Sequence, residues 1–168
     1  TITNSAKAAI AADPNSFDDD LGRIGPDIHG NIVYDNSING LFVRIQRASN
    51  TPLEQLRVSA RFDDTDITHV ITQNLEIVGN PGGPLEVGGV TTARLGGRLA
   101  IDPGIVTKLR FAIIETLRGS SQLIAEGTAK DPVIFTSVLD DKYGTGSTFD
   151  VTNNGFAAAG LQAPAPGD

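Results

Sequence analysis

The sequence predicts an all-β fold, a ribbon of short strands coiled into a parallel β-helix, and three observations predict it. Residues 97–139, GRLAIDPGIVTKLRFAIIETLRGSSQLIAEGTAKDPVIFTSVL, consist of short apolar runs rich in β-branched residues. These runs are punctuated by Pro-Gly, Gly-Ser and Gly-Thr, and none has the length or the period of a helix. A similar unit also recurs along the chain: an apolar strand, an Asn- or Asp-rich corner, then another apolar strand. A stack of approximate rungs requires this, since inward side chains must match while corners vary in length. A β-sandwich, whose strands also carry turn signals at close spacing, is the alternative. The corners without hairpin turns in residues 97–139 favour the coil.

The opening TITNSAKAAIAADPNSFDDDLGRIGPD reads as a first rung followed by an acidic loop. Residues 6–12 would otherwise form a short helix closed by Asp13-Pro14, lying over the end of the coil as a cap against edge-to-edge pairing. The next block, GNIVYDNSINGLFVRIQ, sets Ile32, Tyr34, Ile38, Leu41, Val43 and Ile45 around turns at Asp35-Asn36 and Asn39-Gly40, residue types that tolerate left-handed corners. In LRVSARFDDTDITHVITQNLEIVG the alternation of Leu56, Val58, Ala60 and Phe62 places one face inward. Ile67, Val70, Leu75 and Ile77 follow an acidic corner. The stretch NPGGPLEVGGVTTARLGG is too rich in Gly and Pro for a regular element and reads as a loop leaving one corner. Phe42, Phe62 and Phe135 sit where the pattern wants core. The predicted organisation is one β-helix domain over residues 1–155 and an extended Ala/Pro-rich tail or linker over residues 156–168.

Composition narrows the function. The 168 residues contain no Cys, Met or Trp, which removes disulfides, thiol catalysis and thiolate zinc from consideration. A formal charge of −7 is unsuited to nucleic acid, whose binders concentrate positive charge on one face. No apolar run approaches bilayer length. The chain starts with Thr, so a processed product or a segment of a longer precursor is expected, and an extracellular or cell-surface location fits.

The blocks IDPGIVTKL, IIETLRGSSQLIAEGT and DPVIFTSVLDDKYG, preceded by YDNSINGLFVRI and ARFDDTDITHVITQNLEI, resemble the right-handed parallel β-helix repeats of very large secreted or cell-surface bacterial proteins. The likeness spans residues 30–155 and supplies the handedness. It implies stalks, adhesins or surface scaffolds, an association drawn from fold alone. Where such proteins carry a more acidic Asp-Thr-Asn-Asn-Asp-Gly-like loop, this chain reads Phe149-Asp150-Val151-Thr152-Asn153-Asn154-Gly155. The oxygen donors Asp140, Asp141, Asp150, Asn153 and Asn154 would still suit a calcium ion, which takes 6–8 hard oxygen ligands. Solvated Asx turns are the other reading of these residues.

A second constellation, Arg61, Asp63, Asp64 and Asp66, suits a carbohydrate-binding or polysaccharide-degrading face, because paired carboxylates act as acid and base or hold calcium against an acidic sugar. On a strand Asp64 and Asp66 would share a face; in a turn the side chains would cap backbone amides. His29 precedes a Gly-Asn corner and His69 lies in a strand-like run. Both read as surface or hydrogen-bonded residues, with no nucleophile elbow and no His-x-x-x-His spacing beside them. The sequence therefore points to a non-enzymatic, extracellular structural or adhesive module. Its partners would be further copies, other domains of the same surface protein, or polysaccharide, with residues 1–12 and 156–168 making the subunit contacts.

Overall fold

The computed structural model describes residues 1–19, 25–80, 82, 85–92 and 96–153, and among them the regular structure is almost wholly strand. Ten of these strands form three parallel ladders. Ladder one has five: β1 (Ala8–Ala12), β2 (Ile38–Val43), β4 (His69–Ile71), β9 (Val106–Leu109) and β12 (Ile134–Ser137), paired in chain order. Ladder two joins β5 (Leu75–Ile77) to β10 (Ile114–Thr116), with an isolated parallel bridge from Leu56 to Ile77. Ladder three runs β3 (Ser59–Phe62), β8 (Arg98–Ile101), β11 (Gln122–Ala125). From β2 onward the chain visits ladders one, two and three in turn and then repeats the circuit.

One core binds the ladders together. Leu41, Val43 and Ile71 from ladder one, Leu75 and Ile77 from ladder two, and Ala60, Phe62, Leu99 and Ile101 from ladder three are buried in the same cluster. Alternation sets this directly, since in a strand every second side chain faces the same way. In ladder one the register Leu41–His69–Thr107–Phe135 forms a core-facing column, and Phe42–Val70–Lys108–Thr136 an outer one. Val33 is buried whereas Ile32 and Tyr34 are exposed, so the inward set there is displaced by one residue from the sequence reading.

Residues 8–12 are strand and not helix. The cap at this end is instead a 3-10 turn, Pro14–Phe17, which drives Phe17 edge-on against Phe62 with ring centroids 4.7 Å apart. Asp13 anchors the turn by accepting from Arg44 Nε at 2.8 Å and pairing with Arg47 Nη2 at 2.7 Å. The Arg44 hydrogen bond holds its carboxyl below the usual carboxylate range.

At the Asn-rich corner, Asp35 takes the left-handed conformation (φ 54°) while Asn36 and Asn39 are buried. Asn36 accepts from Ser5 N at 2.9 Å and donates to Ile2 O at 3.0 Å, fastening the first segment to the second. The glycine-rich stretch expected as a plain loop contains an antiparallel hairpin, β6 (Leu85–Val87) with β7 (Val90–Thr92). Gly88 and Gly89, at φ 60° and 80°, make the two-residue turn that suits the twist of paired strands.

Gly97 enters β8 where a Cβ would strike the carbonyls of Leu56 and Val78. Gly97→Ala is therefore expected to cost about 2 kcal/mol by overpacking, read as a lowered urea midpoint at unchanged slope.

Candidate functional site

After β12 the chain turns back across the outer face of ladder one as a strap, residues 138–153. Val138 and Val151 pack on Val70, with Ile38, Phe42 and Leu139 at the rim, so Phe42, expected in the core, is half-buried and covered from outside the ladders. Thr68 N donates to Thr148 Oγ1 and Thr68 Oγ1 to Thr148 O, each at 2.8 Å. Asn153 accepts from Asn39 Nδ2 at 2.7 Å and donates to Asn36 O at 2.5 Å.

Beneath the strap lies Lys108, fully buried on the outer column. Its ammonium donates to the carbonyl oxygens of Asp140, at 2.7 Å, and Phe149. Burial pulls its pKa down, and the charges of Asp141, Asp140 and Asp150 oppose that pull. Asp140 accepts from the Thr136 hydroxyl at 2.5 Å and Lys142 N at 3.0 Å, and Asp150 from Thr152 N at 3.2 Å. Burial pushes the Asp141 carboxyl up. The structure thus gathers Asp140, Asp141 and Asp150 around the positive charge of Lys108, and engages Asn153 with the corner asparagines. Asn154 lies outside the described residues. Lys108 was missed from sequence because nothing in GIVTKLRF marks a lysine that a later segment will cover.

The second constellation surrounds the corner after β3. Arg61 is held by Asp102, with Nε and Nη2 at 3.0 and 2.8 Å from its two oxygens, and that contact raises the guanidinium pKa. Asp64 Oδ1 accepts from Ile28 N and Asp66 Oδ2 from Gly30 N, both at 2.7 Å, so these carboxylates hold the loop of residues 27–30. Burial raises the pKa of Asp63 and of Asp64. Asp27, His29 and Asp64 bring one ligand atom each within 4.8 Å of one another, while His29 contacts Asp27 directly. Arg61 and Asp63 are therefore separated in role from Asp64 and Asp66, and the Asp-x-His spacing of residues 27–29 was the overlooked signal of who joins them.

His69 is neither a surface residue nor hydrogen-bonded. It points into the core, stacked on Phe62 at 4.4 Å with Phe17 at 6.1 Å, and among the described residues neither ring nitrogen has a hydrogen-bond partner. Full burial lowers its pKa to about 3. Thr107, its register neighbour, also has a buried hydroxyl without a partner among the described residues.

The two ends of the stack differ. At the first end, residues 18–19 lie along β3, with Asp18 bridging Ala60 and Asp19 N donating to Ser59 O at 2.9 Å, and Phe17 closes the core. At the last end β10, β11 and β12 are edge strands among the described residues. Leu123, in register with fully buried Leu99, is 39% exposed, and Phe135, in register with fully buried Thr107, is 45% exposed. Phe135 is thus a core-facing residue with no strand over it among the described residues, contrary to its expected burial. A hollow of about 500 Å³ lined by Ile114, Thr116, Ser121, Gln122, Leu123 and Ile124 opens on the same end.

Comparison of the chain with protein-family models, with curated proteins and with solved structures finds no match. Among the described residues no helix is long and apolar enough to cross a membrane.

Proposed function

We propose that the three ladders are the faces of a right-handed parallel β-helix, and that the chain is a structural or adhesive module of an extracellular surface protein. The observation that carries this reading is the order of pairing. Ala8, Ile38, His69, Val106 and Ile134 each begin a strand of ladder one, and each of these strands pairs in parallel with the next along the chain. Successive circuits therefore lie on one another as rungs, each burying side chains against the last, and such a stack lengthens without needing a new kind of core. Right-handedness follows the strong preference of parallel crossovers.

The acidic groups support a structural role. Asp64 and Asp66 spend oxygens on backbone amides, Arg61 is engaged with Asp102, and the carboxylates of the strap surround Lys108. Labelling intact, unpermeabilised source cells with an antibody to this chain tests the location, with surface label expected. Label confined to lysed cells would overturn it. Retention of the chain on an acidic polysaccharide, lost in Asp64→Asn/Asp66→Asn, would replace the structural reading with carbohydrate binding.

A further inference from the structure

The last end of the stack carries an unfinished interface. Within ladder one, Ile134 N donates to Ile105 O at 3.0 Å and Val138 N to Leu109 O at 3.1 Å. Backbone groups alternate sides along a strand, so the N–H and C=O of Phe135 and the N–H of Ser137 point away from β9 to the open edge, while Ser137 O accepts from Asp140 N at 3.1 Å. Ladder three repeats the arrangement. Gln122 N donates to Gly97 O at 3.1 Å, which turns the backbone groups of Leu123 and Ala125 outward. Phe135 and Leu123, whose core-facing side chains lie uncovered, thus also turn backbone groups to an edge that is unpaired among the described residues.

We propose that a second copy of this chain docks here through its own first strand, β1 adding in parallel to β12, so that ladder one runs on from one molecule into the next. This rests on the reading of the ladders as a stack. β1 and β12 are the two edges of one five-stranded parallel sheet, so joining them keeps the polarity, the alternation and the hydrogen-bond pattern of the four pairings already inside it. The edge groups are complementary: Ala12 O accepts from Arg44 N at 2.8 Å, which leaves the amide groups of Ala11 facing outward.

Sizes match as well. β1 reads AAIAA, and its methyl groups leave room for the Phe135 ring, while Ile10 continues the core-facing column. Natural sheets block their edges with Lys, Pro or other charges, and neither AAIAA nor IFTS contains one. At the first end Phe17 and residues 18–19 already close ladder three, so ladder one carries the contact. Such a head-to-tail contact uses different surfaces on the two molecules and extends into a filament.

Sedimentation velocity of the full chain from micromolar to millimolar concentration tests this, with circular dichroism confirming that each variant stays folded. Phe135→Lys blocks one edge and Ala11→Pro the other, with Ala11→Lys in reserve should proline unfold β1. Wild type is expected to grow beyond dimer with concentration, and each blocked variant to remain monomeric. A mixture of the two is expected to form a dimer and stop, because each brings one intact edge. Wild type that stays monomeric throughout would overturn the proposal, as would a dimer dispersed by Phe135→Lys and untouched at Ala11, the mark of two last ends meeting. A monomer whose ladder amides resist hydrogen exchange would sink the docking and leave the stacked architecture standing; unprotected ladders would sink both.

Discussion

Replacing His69 with leucine is expected to flatten the acid limb of the stability curve. The imidazole is buried against Phe62 and Phe17 without a hydrogen-bond partner among the described residues, and burial lowers its pKa from 6.5 to about 3. Below pH 6.5 the unfolded chain takes up a proton that the folded chain refuses. The stability contributed by neutral His69 is therefore complete above that pH and is lost as pH falls toward 3. At 1.36 kcal/mol per pH unit the loss reaches roughly 4 kcal/mol by pH 3.5. Asp63, Asp64 and Asp141, whose pKa values are raised, act in the opposite direction and are common to both proteins, so they cancel in the difference. Urea melts of wild type and His69→Leu should diverge steadily as pH drops, the variant being the more stable. Parallel curves would mean that the ring finds a partner and keeps an ordinary pKa.

Lys108→Met removes the buried ammonium from beneath the strap, and a loss of about 3–5 kcal/mol is expected. The carbonyls of Asp140 and Phe149 lose their donor, and Asp140, Asp141 and Asp150 keep their mutual repulsion without the charge that offsets it. Global melts should fall, and hydrogen exchange at Val138 and Thr148 should rise first. Adding Asp141→Asn to the variant should recover part of the loss. A change under about 1 kcal/mol would show that apolar contacts hold the strap unaided. Because an ammonium already sits among these oxygens, calcium or a chelator should leave the melting temperature of the native chain unmoved. A rise of several degrees with calcium would place an ion there, since a ligand of the native state alone must stabilise it.

Much of the architecture was legible because it rests on local rules. The alternation Leu56, Val58, Ala60, Phe62 and the apolar positions Ile67, Val70, Leu75 and Ile77 predicted burial; seven are buried, and Val58 packs against the core only partly buried. The strand over Ala8–Ala12 was legible for the same reason. The hairpin of β6 and β7 was read as plain loop because Gly and Pro around it outweighed two three-residue strands, although Gly88-Gly89 is itself a hairpin signal. Phe135 shows a different limit: its alternation is inward, as the pattern required, but burial also needs a following strand. Lys108 and His69 depended on contacts across the fold, from residues 140 and 149 to one and from Phe17 and Phe62 to the other. For the acidic residues the sequence supplied the chemistry and left the partners open. Asp64 and Asp66 met backbone amides of residues 28 and 30, and Arg61 met Asp102.

The strap also imposes a schedule on synthesis. Asn153 hydrogen-bonds Asn36 across a separation of 117 residues, and Thr148 closes over Thr68 across 80. A ribosome adding roughly 5–20 residues per second needs about 6–23 s to travel from Asn36 to Asn153. Within that interval Ile38, Phe42 and Val70 lie bare on the growing polypeptide from the moment each is made, and Lys108, once made, waits for its carbonyl acceptors. The nascent chain is stickiest just before residues 148–153 emerge, which makes this the step at which a chaperone would matter most.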